Sequence, residues 1–456
     1  MAGEHIGNEK SSGGDTTMKY ELENIMEPNL LRDIFSYDKV PHIGLGGASI
    51  APSMPEEIWI TDTTFRDGQQ SRPPYTVEQV VQIFKFLNRI GGERGLIKQS
   101  EFFLYGKVDR DAVEACQSLG FKYPEITSWI RAMGKDFELV KSMGIKETGI
   151  LMSCSDYHIF LKLKKNRRQA LDDYKEIAAA ALAHGIIPRC HLEDITRADI
   201  YGFVIPMINE LLEMSKGSGM NVKIRLCDTM GYGLPYPGTE LPRSIPAMLK
   251  AITDNTDIKS SQLEWHGHND FHKVLANATT AWLYGCAAAN GTLLGFGERT
   301  GNAPLEGLVF EWMGLTGISE GIDTTAITEM AHYFAKELKF HIPPNYPFVG
   351  SEFNTTRAGI HADGLTKSEE IYNIFDTEKF LDRPCKVAIS NTSGLAGVAY
   401  WIHTTYPEKG SDIRKDNPGI QQIQSWITEQ YRAGRITTIS DDEMCELIKQ
   451  HLPEII

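Results

Sequence analysis

Between Ile58 and Gly297 the chain alternates eight times between a short β-rich run and a longer segment of helical period. The runs are IWITDTTF (58–65), EFFLYG (101–106), EITSWI (125–130), ETGILMS (147–153), IIPRCHL (186–192), VKIRLCD (222–228), QLEWHG (262–267) and GTLLGFG (291–297). Helical patterns such as VEQVVQIFKFLNRIG, DAVEACQSLG and ALDDYKEIAAAALAHG lie between them, and several close on Gly, a common helix stop. Eight alternations over about 260 residues predict a parallel sheet closed into a (β/α)8 TIM barrel. An open doubly wound sheet fits less well, because no Gly-rich turn follows the first run.

Past about residue 320 the alternation stops. AITEMAHYFAKELKF (326–340) reads as a helix, IPPNYPFVG as a loop, and 350–456 as mostly helical, with IQSWITEQYRAG and DDEMCELIKQHL the clearest members. The expected organisation is an N-terminal arm with short helices around Leu30–Tyr37 (1–55, its first 17 residues disordered or loosely held), the barrel as catalytic domain (56–322), and an appended helical region (323–456).

Sixty acidic residues against 46 basic give a formal charge of −14, which disfavours nucleic acid as a partner. No apolar run approaches the roughly 18 residues needed to cross a bilayer, and MAGEHIGNEKSSGGDTT lacks the apolar core of a secretory signal. Seven cysteines without a CxxC pair read as reduced, mostly buried thiols. A cytoplasmic protein that binds no membrane is expected.

Three segments carry chemistry. WHGHND (265–270) places His266 and His268 at i and i+2, on one face if the strand continues, at the barrel end where catalytic groups gather. Alone, that pair is equally a set of satisfied structural histidines. TDTTFRDGQQ (61–70) offers Asp67 as a hard oxygen ligand and Arg66 as a planar fork for a carboxylate or a developing oxyanion; alone, it is equally a surface Asp-Gly turn. GFGERTGN (295–302) offers Asn302 as a neutral oxygen ligand or as a group behind the ligands. These segments follow runs one, seven and eight, which are neighbours in a closed barrel. Two imidazoles and a carboxylate suit Mn²⁺, Co²⁺, Zn²⁺ or Fe²⁺ better than Mg²⁺ or Ca²⁺. Open positions on such an ion would chelate a 2-oxo acid and make its keto carbon electrophilic.

TDTTFRDGQQ, HGHND and GFGERTGN together resemble the barrel metalloenzymes that include 2-isopropylmalate synthase, homocitrate synthase, citramalate synthase and HMG-CoA lyase. HLEDITRAD (191–199), CDTMGYGLP (227–235), SEFNTTRAGIHADG (351–364) and YNIFD (372–376) extend the resemblance from about Ile58 to about Tyr400. It implies Asp67, His266 and His268 as metal ligands with Asn302 as a fourth, and Mn²⁺ as the leading ion. It implies Arg66 on the keto oxygen, Thr229 on the acceptor's carboxylate, and Glu193, His361 and Tyr372 in proton transfer. His361 and Tyr372 would come from the partner of a homodimer. A barrel that binds keto acids without turnover would not need that trio. The lyase branch uses a cysteine in the loop that here reads GFGERTGN, so acyl transfer from acetyl-CoA to a 2-oxo acid is the implied activity. After Tyr400 only about 55 residues remain, and leucine feedback of the 2-isopropylmalate synthase kind is not expected.

The acceptor is read from Arg189 and His191, two apart on the fifth run and both able to face the site. Two such groups favour a second carboxylate over an isopropyl group. Arg189 could equally pair with Glu193 or Asp194. The whole pattern is most similar to the (Re)-citrate synthase branch, whose acceptor is oxaloacetate; the homocitrate, citramalate and 2-isopropylmalate branches are the alternatives. The basic stretch LKLKKNRR (161–168) reads as a solvated helix start, or as a contact for the phosphates of CoA.

Overall fold

The structure, a computed structural model, describes residues 20–33, 47, 49–131, 134–373 and 375–456. The arm expected over 1–17 lies outside the described residues. So do residues 34–37 of the helix expected around Leu30–Tyr37, and residues 30–33 form no helix. The chain divides into two compact units, Met1–Phe84 with Gly95–Ser319, and Lys85–Arg94 with Glu320–Ile456.

The first unit holds eight parallel strands that close on themselves in sequence order. They are β1 (Trp59–Asp62), β2 (Ile97–Phe102), β3 (Glu125–Ile130), β4 (Glu147–Ser153), β5 (Ile187–Glu193), β6 (Lys223–Asp228), β7 (Leu263–Gly267) and β8 (Ala288–Gly291). Closure is the pairing of Trp59 with Ala288 through Asp62 with Gly291. The predicted barrel is therefore present. β3 and β4 fall on the predicted runs residue for residue, whereas β2 and β8 lie upstream of theirs. The cause is composition: β2 reads IKQSEF, with four polar residues between Ile97 and Phe102, and β8 reads AANG, with no branched or aromatic residue of the kind that marks a strand.

Many outward side chains of the strands are apolar and buried, among them Ile60, Cys190, Leu192, Ile224, Leu226 and Trp265. Many inward positions are charged. Arg225 on β6 reaches Glu101 on β2 at 3.1 Å and Glu264 on β7 at 3.0 Å. Arg189 on β5 reaches Glu264 at 3.0 Å and also pairs with Glu147 on β4, which Lys223 on β6 meets at 2.6 Å. All five residues from Arg225 to Glu147 are less than 5% exposed. Desolvation of such charges about cancels their attraction, so this layer is poorly explained as a stabilising device. It does make a rigid, polar floor for whatever sits above it.

In the second unit the helix Thr325–Lys336 is followed by a two-stranded parallel sheet, β9 (Thr355–Thr356) and β10 (Lys386–Val387), and by helices Gly359–Lys367, Gly394–Thr405, Pro418–Arg432 and Asp441–His451. Its core is apolar, built from Val398, Ile402, Ile420, Ile423, Ile427, Met444 and Ile448 among others. The last helix opens on a reciprocal cap between Ser440 and Glu443. Among the described residues no helix is long and apolar enough to cross a membrane. The seven cysteines are free thiols and six are buried.

Candidate metal centre at the barrel mouth

After β1 the chain tightens into a single turn, Thr64–Gly68. The N–H groups of Arg66, Asp67 and Gly68 all converge on the Thr63 carbonyl, at 3.1, 2.9 and 3.1 Å. This turn drops Asp67 into the mouth of the barrel, 3% exposed. His266 is on β7; His268 lies just past the strand's end, in an antiparallel bridge with Asn302. The extended chain carries on for that one residue, and the two rings meet on the side expected, with centroids 5.2 Å apart and planes at 88°. The Nε2 atoms of His266 and His268 stand 3.5 and 3.7 Å from Asp67 Oδ2. One ligand atom from each of the three residues lies within 4.8 Å of the others.

The donor set fits a divalent ion. His266 Nδ1 faces Asn290 Oδ1 at 2.8 Å, while Asn290 Nδ2 donates to the carbonyl and hydroxyl of Thr61 at 3.2 and 2.9 Å. Those bonds fix the amide's orientation, so His266 carries its proton on Nδ1 and turns the Nε2 lone pair toward Asp67. Burial pushes His266 down to about 3 and lowers His268, which keeps both rings neutral at physiological pH, as ligation requires. Burial works against ionisation of Asp67, but Arg66 beside it and the Asn302 amide leave its carboxyl below the ordinary value. Asn302 Nδ2 donates to Asp67 Oδ2 at 2.7 Å and to Phe296 O at 3.0 Å. Its buried Oδ1 has no hydrogen-bond partner among the described residues. Gly297 is required here, since a Cβ on it would stand 2.7 Å from the Asn302 amide.

Arg66 is braced from below. Its Nε donates to Glu101 at 2.6 Å, and the same carboxylate accepts from Thr63 and Arg225 at 3.1 Å each. Despite burial, Arg225 and Arg66 hold Glu101 well below the ordinary carboxylate value. His191 also faces Glu101, with Nε2 at 3.4 Å from Oε1; burial pushes the ring down to about 4. Arg189 departs from expectation. Its partners are Glu147, Glu264 and Gln99 rather than Glu193 or Asp194, and it is buried in the lower interior layer. With two carboxylates already on it, Arg189 is no free cation for an acceptor.

Thr229 Oγ1 accepts from the Asp194 N–H at 2.9 Å. Glu193, the last residue of β5, accepts from Ser153 Oγ and from Lys162 Nζ at 3.0 Å, with His158 Nδ1 at 2.8 Å. In the second unit the rings of His361 and Tyr372 pack 4.4 Å apart, and His361 Nδ1 is 3.1 Å from Thr356 Oγ1. The basic stretch is only partly the solvated helix start expected. Arg167 is buried on Asp156 and Asp199 at 2.9 Å, behind the Asn166 cap, and Lys162 turns to Glu193.

Glu101, Arg225, Glu264 and Asn290 escape the sequence reading. A usable signal exists: KIRL (223–226) and LEWH (263–266) alternate strictly, and in a closed barrel the polar set of such a strand can face inward.

Over residues 57–333 the sequence matches the family described as HMGL-like. It is 56% identical over 438 residues to a citrate (Re)-synthase of Syntrophus aciditrophicus, covering 96% of this chain and 70% of that one. It is 52% identical over 438 residues to a citrate (Re)-synthase of Clostridium kluyveri, covering 96% and 97%. A 2-phosphinomethylmalate synthase of Streptomyces hygroscopicus is 35% identical over 436 residues, with 94% and 98% covered. The crystal structure of hydroxymethylglutaryl-CoA lyase from Pseudomonas aeruginosa shares the fold, with a TM-score of 0.50 at 16% identity over 63% of this chain and 95% of that one.

Proposed function

This chain belongs to the HMGL-like family, at more than half identity to citrate (Re)-synthases, and from that premise we propose that it condenses acetyl-CoA with oxaloacetate to give citrate and CoA. The observation that carries the reading is the buried cluster of Asp67, His266 and His268 with a braced Arg66 beside it. When bound there, a divalent cation (Mn²⁺ in this reading, with Co²⁺, Zn²⁺ or Fe²⁺ as alternatives, and Asn302 as a further ligand) supplies Lewis acidity toward a ketone.

Arg66 donates to the keto oxygen of oxaloacetate, and its fixed pairing with Glu101 means that no reorganisation is needed when negative charge develops there. The Thr229 hydroxyl donates to the adjacent carboxylate. His191 faces the acceptor's far end, as the one neutral donor on β5 at that depth. A proton leaves the thioester methyl for His361 of the partner subunit, the side-chain type suited to proton transfer near neutral pH. Glu193 and the partner's Tyr372 hold that proton's path. The methyl carbon bonds to the keto carbon, on the face the relatives' name gives, as the C=O π bond opens; Arg66 stabilises the new alkoxide, and the proton held on the partner's His361 passes to it. Water then cleaves the thioester, releasing CoA and citrate and making the sequence irreversible.

Homodimerisation is supported by the second unit's own surface. Tyr372 is half exposed, and Ile360 and Ile371 beside this pair are 74% and 51% exposed, an apolar patch of the kind partners cover. We place the activity in the cytoplasm, where seven unpaired thiols stay reduced. The test is thiol release from acetyl-CoA with Mn²⁺ and a panel of oxaloacetate, 2-oxoglutarate, pyruvate and 2-oxoisovalerate. Oxaloacetate should give the highest kcat/KM; preference for any other acceptor overturns the assignment. His361→Ala should cost about 10²–10⁴ in rate.

A further inference from the structure

Glu193 is hemmed in from one side. Ser153 Oγ donates to it, Lys162 Nζ donates at 3.0 and 3.1 Å, and His158 Nδ1 lies 2.8 Å from Oε2. The other edge of the His158 ring faces a second carboxylate, with Nε2 3.7 Å from Asp194 Oδ2. Asp194 is fully buried and sits in the left-handed backbone region at φ 68°, ψ 40°, a costly place for a residue with a Cβ. Its carboxylate accepts from Ser155 Oγ at 2.5 Å and from Arg197 Nε at 3.0 Å, and its N–H donates to Thr229 Oγ1 at 2.9 Å. One strained residue thus holds the acceptor-facing hydroxyl through its backbone and the His158 ring through its side chain.

We propose that His158 is a positioning residue for proton transfer at Glu193: clamped between two carboxylates, the imidazole sets the orientation and the charge state of the Glu193 carboxylate. This rests on the reading above, in which Glu193 serves the condensation. The titratable and charged groups around Glu193 are His158 and Lys162 from the segment after β4, Cys154 before it, Tyr174 on the helix Arg167–Ala183, Cys227 on β6, and Asp194. Of these, His158 and Lys162 favour the carboxylate. Burial alone would raise Glu193; His158, Ser153 and Lys162 bring it down to about 2.

The experiment is kcat and KM for citrate formation by the full chain with Mn²⁺. His158→Leu should lower kcat about 10–100-fold with KM for both substrates unchanged. In a Glu193→Gln background the same substitution should cost little more, because it acts through that carboxylate. His158→Asn, which returns an N–H donor near the Nδ1 position, should restore most of kcat. Lys162→Met, at a half-exposed side chain that tolerates change, should lower kcat by less. An undiminished His158→Leu loss in the Glu193→Gln background overturns the proposal, as does a His158→Leu loss that Asn does not restore. A wild type that releases no CoA with oxaloacetate overturns the reading beneath it, and this assignment with it.

Discussion

Inside the barrel, Arg225, Glu101, Glu264, Arg189 and Glu147 are buried in ion pairs that cross from strand to strand. Inside the C-terminal unit, the buried set is Ile402, Ile420, Ile423, Ile427, Met444 and Ile448. The apolar core is what burial of hydrophobic surface yields directly. The charged one gains little from burial and persists only where each charge keeps its partner. What it provides is placement. Arg66 is held through Glu101, and Glu101 through Arg225, so the guanidinium beside Asp67 at the barrel mouth is fixed by charges two layers deep.

Breaking this arrangement should separate the two regions. Arg225→Met leaves Glu101 and Glu264 buried without their shared cation and should destabilise the fold by about 3–5 kcal/mol, read from urea unfolding. Adding Glu101→Gln and Glu264→Gln should recover much of that loss, since no bare charge then remains. Ile427→Ala in the C-terminal unit should cost about 2–5 kcal/mol by leaving a cavity, and no second substitution of charge should relieve it. At the mouth, Arg66→Ala should lower kcat by about 10²–10³, the scale for losing one oxyanion donor, with the urea midpoint little changed. Asn290→Ala frees the His266 ring and should weaken Mn²⁺ binding about 10–100-fold, measured by calorimetric titration.

The smallest effect is in pH. His266 and His191, at about 3 and 4, are neutral when folded, so acidification below an ordinary imidazole value near 6.5 reduces stability. Asp62 and Asp228, raised by burial to about 6, are protonated earlier in the fold than in the open chain and return stability between pH 6 and 3.8. These oppose one another. The steep loss belongs to Glu101, Glu147 and Glu264, depressed by their arginines, with Glu264 at about 2. Their contribution is present above about 4.5 and fades below it. The metal-free protein's thermal midpoint should be nearly flat from pH 7 to about 4.5 and fall sharply below. A steady fall beginning at 6.5 would contradict this balance.

The same contrast explains what could be read in advance. The C-terminal helices announce themselves because Ile420, Ile423 and Ile427 repeat at helical spacing and the core they form is apolar. The mouth is also legible: each segment alone has a bland reading, but Asp67, His266 and His268 follow runs that are neighbours in a closed barrel, and all three meet. The layer between is illegible by ordinary reasoning. In β2, Gln99 and Glu101 resemble the solvent face of an exposed strand, yet they point into the barrel. Closure inverts the usual meaning of the alternation, and only the paired partners on other strands reveal it. Arg189 was misplaced for the same reason: its partners, Glu147 and Glu264, are distant in sequence and adjacent only once the barrel closes.

Asp67, His266 and His268 are expected to grip one divalent cation. The most direct test is anomalous scattering at the manganese edge from crystals grown with Mn²⁺. A single peak about 2.0–2.3 Å from an Asp67 oxygen and from both Nε2 atoms is predicted, absent from His266→Ala crystals. An ion bound elsewhere, with full activity retained in the His266→Ala protein, would contradict it.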